Sequence, residues 1–255
     1  DYLTGVGAWM VGQGKEEEWL KIRQETALKR LKEGIRKKDG ILARNGTKKK
    51  PALPITRLRD WALSVNLKEY DEVLALLMAC TGFFGLNRLG ELAWPDNTHY
   101  QSYHKIIRRS GIKINEDSTR VLLRYQKNDR WYEGDVAHCR RMIGSNACLD
   151  VTNMFQRFLP WRDALHGRHP ALYLKRDGTV PTRSWFLTRL RNHCGEMFAG
   201  HSLRAAGATW MASVGYTALS VQRAARWKSE SWRLYLRGHT EIGELLNRKN
   251  ILEHE

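Results

Sequence analysis

Apolar residues recur with helical spacing in the first part of this 255-residue chain. Residues 1–13 predict the end of a helix that Gly14 closes, and residues 15–38 predict a second, highly charged helix. The apolar stripe of this second helix consists of Trp19, Leu20, Ile22, Leu28, Leu31 and Ile35. Two such helices cannot bury a core alone. Residues 1–38 are therefore expected to be the remainder of a small helical domain, in a fragment of a longer chain. A coiled-coil arm fits less well because the apolar repeat is short.

The helical periodicity stops at residues 39–52, where two glycines, a proline and a lysine run follow one another. This composition predicts a basic linker. Its lysines, Lys48, Lys49 and Lys50, are suited to follow a phosphate backbone. A solvated run of charges explains them equally well.

A larger domain is predicted over residues 53–238, beginning with helices at 56–64 and 69–80. The second of these is apolar nearly all round, which predicts a buried central helix. Asp150 and Thr182 are suited to cap two later helices. The later helices are predicted at 151–166, 183–198, 201–213, 217–225 and 229–237. Residues 239–255 predict a C-terminal helix, which either exchanges between protomers or packs on its own domain.

Between these helical parts the pattern changes to that of a β-hairpin. Val121, Leu123 and Tyr125 alternate with polar residues, and residues 131–136 predict the partner strand. Asn128-Asp129 predicts the turn between the strands. The expected fold is therefore mainly α with a small antiparallel β-sheet.

The charge and composition narrow the classes of function. A formal net charge of +16 and a pI of about 9.9 indicate a polyanionic partner, of which nucleic acid is the commonest. A generally basic soluble protein is the alternative. The 42% hydrophobic content and ten tryptophans favour a folded chain over a disordered one.

The four scattered cysteines, Cys80, Cys139, Cys148 and Cys194, form no C-x-x-C pair. They indicate neither a disulfide framework nor a metal site, so reduced thiols and an intracellular location are expected. No apolar run reaches the length of a membrane span, and no signal peptide is visible. Neither a membrane partner nor a cofactor is expected.

Three short stretches contain residues suited to phosphodiester chemistry. Residues 81–94 (TGFFGLNRLGELAW) are the first segment, 200–215 (GHSLRAAGATWMASVG) the second segment and 226–238 (RWKSESWRLYLRG) the third segment. Few other patterns in a basic protein indicate a reaction type so directly.

His201 and Arg204 are three residues apart on a predicted helix and share a face. A guanidinium binds two phosphate oxygens and keeps its charge, so Arg88 and Arg204 would hold one phosphate from two sides. His201 adds a hydrogen bond or moves a proton. Each residue alone is more commonly structural, as a surface arginine or a core histidine.

Tyr235 can attack phosphorus and form a covalent phosphotyrosine, although a single tyrosine is more commonly a packing residue. A lysine is then needed to protonate the departing 5′-hydroxyl. Lys127, at the end of a predicted strand, is preferred for this role, with Lys113 and Lys105 as alternatives.

Together the three segments resemble the catalytic domain of the tyrosine recombinases, also called the phage-integrase family, over about residues 52–238. In the first segment Thr81-Gly82 precedes Arg88, and Glu91 follows three residues later. Glu91 is expected to support Arg88 or its helix rather than to do chemistry.

The second segment carries His201-x-x-Arg204 followed by Ala208-Thr209, as in the family's second motif. Trp227 stands 23 residues after Arg204, where the family has histidine or tryptophan. In this role Trp227 would donate its indole N–H to a phosphate oxygen.

The resemblance makes Tyr235 the nucleophile. It follows Trp227 by 8 residues, one fewer than the commonest family spacing. Lys228, next to Trp227, is either a DNA contact or an exposed residue.

The phrases FFGLNRLGEL, KNDR and RWKSESWRLY are most similar to the eukaryotic Crypton-type transposon recombinases. The family resemblance implies recombination of double-stranded DNA through a 3′-phosphotyrosine, by a tetramer, with no ATP or metal. It also makes residues 1–38 the C-terminal helices of an N-terminal helical DNA-binding domain. The Crypton-type branch implies a nuclear location. Two alternatives remain, a type IB topoisomerase-like enzyme that relaxes DNA and a domesticated DNA-binding protein that no longer cleaves it.

Overall fold

The computed structural model describes residues 2–24, 30–31, 33–35, 52–125 and 134–227, with only the backbone of residues 2–4, of Gln24 and of His201. The chain divides into two compact units, 1–49 and 50–255. The predicted linker lies almost entirely outside the described residues. The limits of the predicted domains stay predictions.

The first unit contains α1 (Tyr2–Gly12) and α2 (Glu16–Gln24). Gly14 lies between them with a φ of 70°, a conformation that favours glycine. The ring of Trp19 in α2 packs directly against Gly7 in α1, where a Cβ would lie 2.7 Å from the ring nitrogen. The two helices therefore pack closely. The predicted second helix is confirmed over Glu16–Gln24.

The second unit is built around α4 (Tyr70–Phe84), and every residue from Leu74 to Phe84 is buried. This confirms the predicted central helix, because a helix that is apolar nearly all round must be covered on all sides. The helices that pack directly on α4 are α3 (Ile55–Ser64), α5 (Leu89–Leu92), α6 (Val151–His166), α7 (Arg183–Cys194) and α8 (Gly200–Ser213). The short helix α9 (Ala218–Ala224) packs on α8.

A three-stranded antiparallel sheet, in the order β1-β2-β3, covers another side of α4. Its strands are β1 (Ile112–Ile114), β2 (Ser118–Leu123) and β3 (Asp135–Arg140). In the register, Val121 pairs with Ala137 on one side and Ile112 on the other. The inward side chains of Val121, Leu123, Ala137 and Cys139 join the main core.

The predicted limits of the hairpin were partly wrong. The last pair of the β2–β3 ladder is Leu123 opposite Asp135, so the pairing ends short of Tyr125. Gly134, which precedes Asp135, turns the backbone away with a φ of 74°. β3 then continues to Arg140, beyond the predicted end at 136. The predicted turn at Asn128-Asp129 lies outside the described residues.

Side-chain caps fix the starts of two helices, as the sequence predicts. Asp150 accepts a hydrogen bond from the Thr152 backbone nitrogen at 3.0 Å, at the start of α6. The Thr182 hydroxyl accepts one from the Trp185 backbone nitrogen at 3.4 Å, at the start of α7. The predicted end of α7 at 198 was wrong, because Gly195 adopts a φ of 116° that stops the helix.

The predicted helix at 201–213 begins one residue earlier, at Gly200. The one predicted at 217–225 is Ala218–Ala224. Those predicted at 229–237 and within 239–255 lie outside the described residues. In the part of the chain that the structure describes, no helix combines the length and the apolarity that crossing a bilayer requires.

Candidate catalytic site

Two glycines bring α8 unusually close to the first segment. A Cβ on Gly207 would lie 1.9 Å from the backbone oxygen of Phe83, and one on Gly200 would lie 2.5 Å from Leu89 Cδ2. Residues seven apart lie on one helix face, and Arg204 lies on the same face between them. The absence of side chains at both glycines therefore lets Arg204 approach the chain between Phe83 and Leu89.

The guanidinium of Arg204 is held by backbone oxygens. Its Nη1 donates to the Leu86 oxygen at 2.9 Å, and its Nη2 donates to the Ala225 oxygen. Its central carbon lies 5.3 Å from the ring centre of Trp227. Arg204 thus connects the second segment to the first segment and to Trp227, and it is only 3% exposed.

Trp227 is held at the start of the third segment. Its backbone nitrogen donates to the Gln222 oxygen at 3.1 Å, and Gln222 Nε2 donates back to the Trp227 oxygen at 3.3 Å. The indole packs, partly buried, against a small apolar cluster that includes Leu86 and Ala208.

Arg88 lies immediately before α5, and its side chain is 27% exposed. Its Nη1 donates to Glu91 Oε1 at 2.9 Å, and its backbone nitrogen donates to Glu91 Oε2 at 2.9 Å. Glu91 therefore supports both the side chain and the backbone of Arg88, as the sequence predicts. The partial exposure leaves Arg88 accessible to a ligand.

A third arginine, which the sequence analysis did not select, completes the cluster. Arg226 Nη2 donates to Glu91 Oε2 at 3.2 Å, Asn87 Oδ1 at 3.0 Å and the Leu86 oxygen at 3.1 Å, and Nη1 donates to the Gly85 oxygen at 3.0 Å. Burial lowers the pKa of Arg226 from its ordinary value, while the Glu91 carboxylate opposes that shift. In the sequence, only the position of Arg226 next to Trp227 pointed to a role in the site. Because arginine is common throughout this chain, that position did not distinguish it.

Three guanidinium groups thus surround residues 85–91, which we call the 85–91 turn. Leu86 and Glu91 each accept hydrogen bonds from two of the arginines. Such a concentration of positive charge favours an anion with several oxygens, and the partly exposed guanidinium of Arg88 can donate two parallel hydrogen bonds to it.

Arg88 opens onto a groove of about 670 Å³. Exposed basic side chains from other elements, Lys105 and Arg183, line it beside Tyr125 and Gly200. The ammonium of Lys105 lies 5.3 Å from the ring centre of Tyr125. The groove is therefore basic with an aromatic wall, and the start of α8 borders it.

A second groove shares Lys105 and Tyr125 with the first and continues to Arg108 and Arg124. The basic lining thus extends away from Arg88 along the sheet. Of the two alternative lysines, Lys105 lies in both grooves. Lys113 lies in β1, opposite Arg120.

The structure places only part of the predicted site. It brings together Arg88, Arg204 and Trp227, and it puts the backbone of His201 in the first turn of α8. The predicted residues that lie outside the described part are Lys48, Lys49, Lys50, Lys127, Lys228 and Tyr235. Their roles stay predictions.

Among the described residues, no group of three or more His, Cys, Asp or Glu side chains is arranged to hold a metal ion. The four cysteines are all free thiols.

Comparison of the sequence with protein-family models and with curated proteins gives no match. Comparison of the fold with solved structures does. One similar structure is the XerH site-specific recombinase bound to difH substrate, a pre-cleavage complex, with a TM-score of 0.53, 14% identity, and coverage of 74% of this chain and 51% of that one. Another is XerH bound to palindromic difH, a post-cleavage complex, with a TM-score of 0.55, 14% identity, and coverage of 81% and 54%.

The chain spans about half the length of these recombinase chains. At this identity the likeness concerns the fold. The mostly helical architecture with a three-stranded antiparallel sheet is the fold of a tyrosine recombinase catalytic domain.

Proposed function

We propose that this chain is a site-specific DNA recombinase that cleaves and rejoins DNA through a 3′-phosphotyrosine, without ATP or a metal ion. The observation that carries the proposal is the contact network around the 85–91 turn. It links Arg88 through Glu91 and Arg226 to Arg204, and Arg204 to Trp227. Residues from three distant segments therefore meet at one basic cluster beside an open groove. XerH, whose fold is similar, is a recombinase crystallised with its DNA substrate.

In the proposed reaction, the Tyr235 oxygen attacks the scissile phosphorus. The new bond joins this oxygen to phosphorus, and the bond from phosphorus to the 5′-oxygen breaks. Lys127 donates a proton to the departing 5′-oxygen, and His201 accepts the proton of the phenol. A 5′-hydroxyl from a partner duplex then reverses these steps, so the energy of the phosphodiester bond is retained.

Arg88 and Arg204 neutralise the charge that builds on the phosphate oxygens in the transition state. Trp227 supports the same state by donating its indole N–H to one of these oxygens. Because the arginines are already fixed by Glu91 and by the Leu86 carbonyl, little reorganisation is needed when the phosphate arrives.

The proposal has finer parts that rest on the sequence resemblance. They are a Crypton-type transposon origin, assembly of a tetramer on double-stranded DNA and a nuclear location. Lys48, Lys49, Lys50 and Lys228 are proposed to contact the DNA backbone. The helical first unit is proposed to hold the DNA against the catalytic domain.

The proposal is tested by trapping the covalent intermediate. Sequencing of DNA fragments captured covalently on the protein identifies the cognate site. A duplex nicked just beyond that site then loses its short 5′-hydroxyl fragment after cleavage, so the adduct accumulates and is visible on a denaturing gel. Wild type and Tyr216→Phe, a control at a half-buried tyrosine before α9, should form the adduct. Tyr235→Phe should form none.

Two other outcomes point to different functions. Relaxation of supercoiled DNA without exchange between two marked duplexes would indicate a type IB topoisomerase-like enzyme. Tight binding of the cognate site with no adduct from wild type would indicate a domesticated DNA-binding protein.

A further inference from the structure

Arg226 is a buried arginine that the proposed reaction does not use directly. Its side chain is only 3% exposed. Both of its terminal nitrogens face acceptors of the 85–91 turn: the oxygens of Gly85 and Leu86, and the side chains of Asn87 and Glu91. A guanidinium enclosed in this way does not reach a phosphate in the groove. Its role must therefore act through the residues that it contacts.

The backbone at Arg226 is strained. Its φ of 56° lies in the left-handed region, which is unfavourable for any residue with a Cβ and free of that cost for glycine. A glycine would relieve the strain at this position but would provide no contact with the turn. The hydrogen bonds of the Arg226 side chain offset the strain.

The contacts of Arg226 lead to Arg88 and Arg204, the two arginines proposed to hold the phosphate, which we call the clamp arginines. Glu91 accepts from Arg88 with Oε1 at 2.9 Å and from Arg226 with Oε2 at 3.2 Å. The Leu86 oxygen accepts from Arg204 at 2.9 Å and from Arg226 at 3.1 Å. The acceptor that orients each clamp arginine is therefore also held by Arg226.

We propose that Arg226 is a positioning residue, which holds Glu91 and the Leu86 carbonyl so that Arg88 and Arg204 are aligned on one phosphate. This inference rests on the proposed recombinase function. It predicts that loss of Arg226 slows cleavage while leaving the affinity for DNA nearly unchanged, because the groove lining does not include it.

The variant that isolates the side chain is Arg226→Gly, since glycine accepts the local φ without strain. We expect it to bind the cognate duplex as wild type does. Its single-turnover rate of adduct formation, at saturating protein, should fall about 100-fold, the loss that a small misplacement of catalytic groups can cause. Arg226→Lys retains the charge and should recover part of the rate.

A matched control is Arg162, whose side chain is also buried and which donates to Asp163 and to the carbonyls of Gly167, His169 and Ala171, away from the site. Arg162→Lys should lower stability yet cleave at the wild-type rate once folded. If Arg162→Lys and Arg226→Lys slow cleavage equally, the effect is a general loss of packing and the positioning role is overturned.

The double variant Arg226→Gly with Glu91→Gln gives a second test. Because Arg226 acts partly through Glu91, Arg226→Gly should slow cleavage by a smaller factor in the Glu91→Gln background than in wild type, since residues in one network are not additive. Full additivity of the two rate losses would overturn the proposal, as would a wild-type rate in Arg226→Gly.

A measurement without cleavage separates this inference from the proposed function. Relaxation of the ¹⁵N nucleus in the Arg88 Nε–Hε group reports its order by NMR. The group should be ordered in wild type and mobile in Arg226→Gly. If wild type forms no adduct, the recombinase function fails, and the NMR result still decides: unchanged order of Arg88 overturns the positioning role, and increased mobility supports it.

Discussion

At the scale of single residues, the two clamp arginines differ in how much folding depends on them. Arg88 is partly exposed at the groove, and its carboxylate partner Glu91 keeps a second ion pair with Arg226 if Arg88 is removed. Arg204 is buried, and its loss leaves the Leu86 and Ala225 carbonyls without that donor. The same proposed role in the reaction is therefore combined with different structural roles.

This difference predicts separate effects for Arg88→Ala and Arg204→Ala. The first should lower the free energy of unfolding by about 1 kcal/mol or less, because Arg88 is partly exposed and Glu91 keeps its ion pair with Arg226. The second should lower it by about 2–4 kcal/mol, because it removes charged hydrogen bonds from a buried site. Both should slow adduct formation by about 100-fold or more, the usual cost of losing a group that stabilises transition-state charge.

Urea unfolding and the nicked-duplex assay measure the two effects independently. Equal destabilisation by both substitutions would contradict the structural distinction. Normal cleavage by either would contradict its place in the clamp.

The cysteines give a second prediction at this scale. Burial raises the pKa of Cys139 and of Cys194 to about 12, and it raises that of Cys80 well above its ordinary value. The raised pKa values keep these three thiols protonated at pH 8, so they are poor nucleophiles. Cys148 differs from them because it is partly exposed to reagents.

Iodoacetamide at pH 8 should therefore modify Cys148 first in the native protein, and mass spectrometry of peptides locates the label. The other three cysteines should react at comparable rates only after denaturation in urea. Early labelling of Cys80, which is fully buried, would mean that α4 is not enclosed as the structure has it.

The sequence predicts individual residues well where a spacing encodes them. Arg88 and Glu91 are three residues apart in the sequence and contact each other in the structure. His201 and Arg204 are also three residues apart, and both lie in the first turns of α8. Arg226 has no such spacing. Its importance arises from a left-handed backbone and from acceptors over a hundred positions away, and neither can be read from a local pattern.

At the scale of secondary-structure elements, the site depends on how closely α8 approaches the end of α4. Gly207 permits this contact because it has no side chain. A Cβ there would lie 1.9 Å from the backbone oxygen of Phe83. A backbone atom cannot move aside as the end of a flexible side chain can. Any larger residue must push the two helices apart.

Gly207→Ala should therefore lower the free energy of unfolding by about 3 kcal/mol, the upper part of the usual cost of overpacking. The shift of α8 should also displace Arg204 and slow adduct formation. Gly5→Ala is a matched control in α1, where a Cβ meets nothing within 4 Å. It should be neutral or slightly stabilising, since alanine is the better helix former. A tolerated Gly207→Ala would contradict the close packing of α8 on α4.

Long periodic elements could be predicted from the sequence, and short or geometrically stopped ones could not. The helices α3, α4 and α6 follow from apolar spacing, and α6 also follows from its Asp150 cap. The strand β1 has only three residues, too few for an alternating pattern. The end of α7 is set by the positive φ of Gly195. The helical spacing of apolar residues continues past this glycine, so the sequence pattern does not show where the helix ends.

At the scale of the whole molecule, the positive charge is the property that composition predicts most directly. The formal net charge of +16 does not by itself say where a polyanion binds. The structure offers a candidate location, because the two grooves that meet at Lys105 and Tyr125 lead from Arg88 toward Arg108 and Arg124. Residues from the loop before β1, the end of β2 and α7 form this lining only after folding, so the sequence alone does not group them.

If the grooves hold the DNA backbone, binding must release counterions from the phosphates that their basic residues neutralise. The logarithm of the binding constant should then fall linearly with the logarithm of salt concentration, with a slope near −0.9 for each phosphate contacted. Lys105→Gln and Arg183→Gln should each make this slope shallower by about 1, on cognate and unrelated duplexes alike. Arg157→Gln, an exposed arginine on α6, removes the same charge outside the grooves and should leave the slope unchanged. Fluorescence anisotropy over a series of salt concentrations measures all four proteins, and an equal change in slope for the three variants would show that net charge, rather than the grooves, attracts the DNA.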